Sequence, residues 1–126
     1  MKYIISSIII LSIFCLSNQE KRCSDIKNGK FRYFDSSSNE AIEIRTDSIQ
    51  IDSFPNIGLT LYSKVKWTSE CNYEATVYKV SDPEMELLIG KTFEYEILSI
   101  NNNEVKLKAK TVNKKRETER IMYIIN

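Results

Sequence analysis

The sequence predicts an all-β fold, an antiparallel up-and-down meander of about eight strands that closes into a barrel or forms a strongly curved sheet. Three observations predict it. Apolar residues recur with period two from residue 28 to the C-terminus, the spacing that sends alternate side chains to opposite faces of a strand. Clusters of Asn, Asp, Ser, Gly and Pro punctuate that alternation, as turns require. The connections are short, and none has the length and periodicity of a crossover helix, so sequential strands are expected to be antiparallel neighbours.

The elements follow in order. Asn28-Gly29 opens a strand over residues 30–35, and Ser36, Ser37, Ser38 and Asn39 close it. Residues 41–46 place Ile42 and Ile44 on one face; after a tight turn at Asp47, residues 48–54 place Ile49 and Ile51 on one face. Pro55-Asn56 breaks the run. Residues 57–67 form the longest strand, with Ile57, Leu59, Leu61, Val65 and Trp67 on the inward face, interrupted only by Ser63, and with Thr60, Tyr62, Lys64 and Lys66 on the wet face. Thr68, Ser69 and Glu70 read as a hairpin turn, and residues 71–80 return with Tyr73, Ala75 and Val77 inward. Ser81-Asp82-Pro83 turns the chain again, and residues 84–89 are a helical turn or a loop packed by Leu87 and Leu88. Residues 91–100 carry Phe93, Tyr95 and Ile97. Asn101, Asn102 and Asn103 make a turn tolerant of left-handed backbone. Residues 104–112 set Val105, Leu107 and Ala109 opposite Lys106, Lys108 and Lys110. After a turn at residues 113–116, residues 117–125 place Ile121, Tyr123 and Ile125 on one face. Closing eight such strands removes exposed edges. A calycin- or lipocalin-like barrel is therefore favoured over a Greek-key sandwich, which needs a long crossing connection.

Ahead of this domain, Met1-Lys2 leads into an apolar run from Tyr3 to Leu16, broken only by Ser6, Ser7 and Ser12 and closed by a polar block from Asn18 to Arg22. The run is shorter than the roughly 20 residues a bilayer-spanning helix needs. It has the form of a secretory signal peptide, with cleavage expected after Ser17. Two alternatives are an uncleaved N-terminal anchor and a lipoprotein anchored through Cys15. Phe14 stands where lipoprotein processing requires Gly, Ala or Ser. The expected organisation is a signal peptide at 1–17, an N-terminal segment at 18–27 tied down by Cys23, and a single β domain at 28–126.

The chain of 126 residues carries 18 Lys and Arg, 17 Asp and Glu, three Cys and no His. Removing residues 1–17 takes away Lys2 and Cys15, which leaves equal numbers of basic and acidic side chains and two cysteines. In an exported, oxidising setting the remaining pair, Cys23 and Cys71, reads as a disulfide. The absence of histidine removes Ser-His-Asp and Cys-His catalysis and the commonest zinc ligand, so no metal, cofactor or catalytic residue is expected. Glu94 and Glu96 fall on the wet side of a strand and not in a cleft. Zero net charge in the mature domain gives no footprint for nucleic acid. The basic residues Lys110, Lys114, Lys115, Arg116 and Arg120, followed or interleaved by Glu117 and Glu119, read as a solvated hairpin tip.

Two patterns stand out, Cys23-x5-Gly29-x-Phe31 and Trp67-x3-Cys71-x-Tyr73, with Ile44-Arg45 and Ile49-Gln50-Ile51 between them. Together they resemble a group of small exported bacterial envelope proteins of unknown function, some of which carry a transferred "DNA topoisomerase IV" name. The resemblance covers roughly residues 23–80. It implies a secreted or lipid-anchored single β domain with a Cys-to-Cys bridge, and it supplies no catalytic residues. A topoisomerase needs a nucleophilic Tyr within a large DNA-gripping assembly, and a small domain of zero net charge offers none. Phe31, Trp67 and Tyr73 are candidate aromatics for a pocket or for one end of the barrel.

These readings converge on an exported protein, periplasmic or extracellular, monomeric and non-enzymatic, acting as a binding or interaction module of the cell envelope. Its partner is either another envelope protein or a small apolar ligand carried as lipocalin-like barrels carry theirs, with membrane attachment only if Cys15 is lipidated. An enclosed pocket of about 300 Å³ or more favours the carrier, and a core with no void favours a filled barrel that works through its outer surface.

Overall fold

Eight strands follow one another around a closed barrel: β1 (Gly29–Phe34), β2 (Glu40–Arg45), β3 (Ile49–Phe54), β4 (Leu59–Trp67), β5 (Asn72–Val80), β6 (Thr92–Asn101), β7 (Glu104–Thr111) and β8 (Thr118–Ile125). The computed structural model describes residues 21–111 and 116–125. Each strand pairs antiparallel with the next, and β8 returns to β1 through Lys30–Ile125, Phe31–Ile124 and Arg32–Tyr123. The architecture is therefore the closed up-and-down barrel and not the curved open sheet. The segment read as a signal peptide, with Cys15, and the tip residues Lys114 and Lys115 lie outside the described residues.

Antiparallel order gathers residues 29, 45, 49, 67, 72, 101, 104 and 125 at one end and residues 34, 40, 54, 59, 80, 92, 111 and 118 at the other. The first end is closed. A 3-10 turn, Cys23–Ile26, lies across it with Cys23 and Ile26 buried. Cys23 is bonded to Cys71 in the β4–β5 connection, their Cα atoms 5.3 Å apart, within the range for an unforced bridge. Gly29, at φ +154°, leads from this turn into β1, and a Cβ there would come within 3.2 Å of the Phe31 ring. Glycine lets that ring fold back over its own backbone.

Two elements differ in detail from the sequence expectation. The longest strand begins at Leu59, because residues 55–58 form a turn with Gly58 at φ +65° that leaves Ile57 exposed. Residues Pro83–Leu88 form two short 3-10 turns, capped by Asp82, whose carboxylate accepts from the Glu84 amide at 2.9 Å. Leu87 does not pack this loop. It is 85% exposed.

The faces divide the barrel in two. In β4 to β7 the apolar parity points inward, as the alternation predicts: Leu59, Leu61, Tyr73, Ala75, Val77, Tyr95, Ile97, Val105, Leu107 and Ala109 form most of the core. Bulges at Tyr62/Ser63 and Ile97/Ser99 shift the register so that the extra residues, Tyr78 and Leu98, go outward while Ser63, Val77 and Ile97 stay inward. In β2 and β3 the isoleucines face outward, and in β8 Ile121 does so while Ile124 shares the inward face of Met122. Ile44 and Ile121 are nearly half exposed, while Ala41, Glu43, Arg45, Gln50, Asp52, Phe54 and Met122 are buried.

The Cys23–Cys71 bridge spans 48 residues, and closing such a loop is worth about 4 kcal/mol in the chain-entropy model. Reduction, or the double substitution of Cys23 and Cys71 by Ser, is expected to lower the denaturant unfolding free energy by up to about that amount. An unchanged midpoint after verified reduction would contradict a stabilising role for the closed end.

Candidate functional site

The inward polar residues come from adjacent strands and meet because of register. Glu43 of β2 stands opposite Asp52 of β3, and Arg45 opposite Gln50, so each reaches its cross-strand partner at the shortest distance a sheet offers. All four are buried, as is Ser63 opposite Gln50 on β4. Tyr33 donates its hydroxyl to Asp52 Oδ1 at 3.0 Å, and Gln50 Nε2 donates to Asp52 Oδ2 at 2.9 Å. Asp52 is thus the acceptor at the centre of the interior network.

Arg45 lies deeper, at the closed end. Its guanidinium carbon is 4.5 Å from the Phe31 ring centroid, 4.8 Å from that of Tyr73 and 5.9 Å from that of Trp67. Its Nε lies 3.4 Å from Glu43 Oε2, close enough for an ion pair although not aligned as a hydrogen bond. Trp67 packs at a tilt against Tyr73 with centroids 4.6 Å apart, Tyr73 stacks on Tyr95 at 4.8 Å, and Lys27 Nζ sits 5.0 Å from the Trp67 centroid. The three aromatics singled out in the sequence, Phe31, Trp67 and Tyr73, are therefore brought together at the closed end, around a cation, and none lines the open mouth.

The opposite end holds a cavity of about 330 Å³ that opens between the strands. One wall is apolar: Leu61, Ala75, Val77 and Phe93. Its polar residues include Tyr33, Gln50, Asp52 and Ser63, and Lys110, Arg116 and Arg120 also line it. Arg120, expected in a solvated tip, instead points inward from β8, half buried, with its guanidinium carbon 4.3 Å from the Tyr33 ring centroid and 5.8 Å from that of Tyr95. The reason is parity: Arg120 shares the inward face of β8 with Met122. Glu94 and Glu96 do lie on the outer face of β6, where Glu94 pairs with Lys110 at 3.4 Å. A wider hollow of about 1280 Å³ lies outside the closed end, between Arg22 and residues 101–103, and has no buried polar side chain in its lining.

Burial raises the Glu43 carboxyl most, Asp52 opposite raises it further, and Arg45 pulls the other way; the outcome is a value pushed up to about 8. Burial likewise lifts the hydroxyls of Tyr33 and Tyr73, and that of Tyr95 to about 12, so all three are neutral donors at physiological pH. Arg120 and Arg45 are held in the charged form, because the neighbouring tyrosines and carboxyls outweigh their desolvation. Among the described residues no three His, Cys, Asp or Glu side chains are grouped to hold a metal ion, and no helix is long and apolar enough to cross a membrane.

Sequence reasoning named Arg45 and Gln50 only within motifs and did not place Glu43, Asp52 or Arg120 inside. A usable signal was present: Gln50 and Asp52 share parity with Phe54, and Glu43 and Arg45 with the small Ala41. Comparison of the chain with protein-family models, with curated proteins and with solved structures gave no match.

The raised Glu43 carboxyl has a measurable consequence. A carboxyl whose folded value exceeds its ordinary 4.5 favours the folded state while protonated. That contribution is complete below about 4.5 and is lost as pH rises through about 8. The charged and titratable groups around it are Asp52, Arg45, Arg120, Tyr33, Tyr73 and Tyr95, and none of the tyrosines titrates inside this window. Unfolding free energy should therefore fall with rising pH across this window, and Glu43→Gln should flatten the slope and leave the protein more stable than wild type above it. A wild-type profile that rises over the same range would contradict the assignment.

Proposed function

We propose that the protein is an exported, non-enzymatic binding module that holds a small ligand in the open mouth of its barrel. The observation that carries this reading is the cavity of about 330 Å³ at one end of a barrel whose other end is closed by the Cys23–Ile26 turn and the Phe31, Trp67 and Tyr73 cluster. Ligand sites are concave, mostly apolar and fixed by a few polar groups. The wall of Leu61, Ala75, Val77 and Phe93 with Tyr33, Asp52 and Arg120 on its border has that composition. At about 30 Å³ per water-sized unit, the space suits a ligand of roughly ten non-hydrogen atoms.

The bonded cysteine pair is consistent with an oxidising compartment, which supports export to the periplasm or beyond. The apolar run from Tyr3 to Leu16 and the polar block after it, which have the form of a secretory signal peptide, support the same location. The carrier reading is preferred to a filled barrel that works only through its outer surface, because Ser63, Gln50 and Asp52 on the cavity floor leave room that larger apolar side chains would have filled.

Titration with 1-octanol, followed by amide chemical shifts, tests the site. The amides of Leu61, Ala75, Val77 and Phe93 are expected to move and those of Phe31 and Trp67 at the closed end to stay. Filling the cavity by Ala75→Phe is expected to weaken binding about tenfold, as loss of a few buried methylenes would. Shifts confined to the outer faces of the strands, with the variant binding as well as wild type, would overturn the carrier reading.

A further inference from the structure

The geometry points to a small amphiphile with an anionic head group as the occupant of the mouth, its acid oxygens on Arg120 and its apolar body against Leu61, Val77 and Phe93. This rests on the carrier reading and refines the apolar ligand expected from the sequence.

The first support is the state of Arg120 itself. Its guanidinium lies over the Tyr33 ring, next to Tyr95, and it forms no ion pair with a carboxylate among the described residues. Contact with aromatic faces leaves the in-plane donors for a partner, and that planar fork matches the two oxygens of a carboxylate. Arg45, the other interior guanidinium, differs on each point: it sits among three rings at the closed end, has Glu43 within 3.4 Å, and does not line the cavity.

The second support is the charge of the lining. Two cationic side chains, Arg116 and Arg120, border the cavity against one carboxylate, Asp52, and Lys110 stands at its rim with its ammonium paired outward to Glu94. Asp52 already accepts from the Tyr33 hydroxyl on one oxygen and from the Gln50 amide on the other. The Lys110–Glu94 pair is exposed on both sides, so solvent and salt weaken it. A cationic ligand would be repelled by Arg120 and would find Asp52 as the lining's single carboxylate, each of its oxygens already accepting one hydrogen bond. A wholly apolar ligand would strip water from a half-buried guanidinium without replacing it, which is unfavourable. An anionic head with a short apolar tail satisfies both walls at once.

Calorimetric titration of the purified protein with octanoate, 1-octanol and octylamine, three probes sharing one tail, reads the head-group preference directly. Octanoate is expected to bind about tenfold or more tighter than 1-octanol, with octylamine weakest, and its affinity should fall as salt rises. Arg120→Leu should abolish the preference for octanoate over 1-octanol together with its salt dependence, and Arg120→Lys should recover part of that preference. If Arg120→Leu does not fold, the salt dependence and the probe ranking in the wild-type protein still decide. Equal binding of octanoate and 1-octanol, or a preference for octylamine, would overturn the anionic assignment and leave the carrier reading standing. No binding of any probe would overturn both.

Discussion

A guanidinium inside a β-barrel has to be compensated, and the interior of this one is arranged around Arg45. Removing such a charge from water costs several kcal/mol even after relaxation. Here Phe31 and Tyr73 present ring faces at 4.5 and 4.8 Å, Trp67 closes a third side, and Glu43 supplies a carboxyl at 3.4 Å. Cation–π contacts of this kind gain strength where water is excluded. The requirement propagates outward. Phe31 can lie where it does because Gly29 has no Cβ, Trp67 is covered by Lys27, and Tyr73 follows Cys71 closely enough that the bridge to Cys23 pins the whole cluster. The closed end is thus one unit of charge, aromatic faces and a covalent tie.

That unit also explains why the interior is polar on one side. Glu43 faces Arg45 on its own strand and Asp52 across the sheet, and two carboxyls so close resist joint ionisation. The resulting network of Glu43, Asp52, Gln50 and Tyr33 reaches from the caged arginine up to the cavity floor. Aromatic and cation–π contacts continue the connection along the barrel, from Trp67 through Tyr73 and Tyr95 to Arg120 and Tyr33. The two arginines therefore occupy opposite ends of one interior. One is enclosed and structural; the other stands at the opening.

Much of the fold was legible in the alternation. Eight strands, their sequential antiparallel pairing and the inward faces of β4 to β7 follow from residues such as Leu59, Tyr73, Tyr95 and Leu107, because there the apolar parity is also the buried one. The site was less legible, for a physical reason. Period two says that two faces differ but not which one turns inward, and it is usually the apolar face that does. In β2, β3 and β8 a buried polar network reverses the choice: Ile42, Ile44, Ile51 and Ile121 cover the outside while Glu43, Arg45, Asp52 and Arg120 turn in. Arg120 illustrates the difficulty, since among neighbouring Lys and Glu residues it reads as solvated surface, and only its parity with Met122 places it inside. Phe31, Trp67 and Tyr73 were legible as a group through their spacing to the cysteines, but the cation they surround was not.

The barrel is sealed at one end, and the proposed occupant of the other is a small amphiphile. Anomalous diffraction from crystals grown with 8-bromooctanoate tests it most directly, since the bromine marks the tail and the electron density shows the head. A single bromine peak is expected inside the barrel, beside Leu61, Val77 and Phe93, with the carboxylate against Arg120. Bromine found only on the outer surface, or side chains filling the mouth so that no ligand enters, would contradict it.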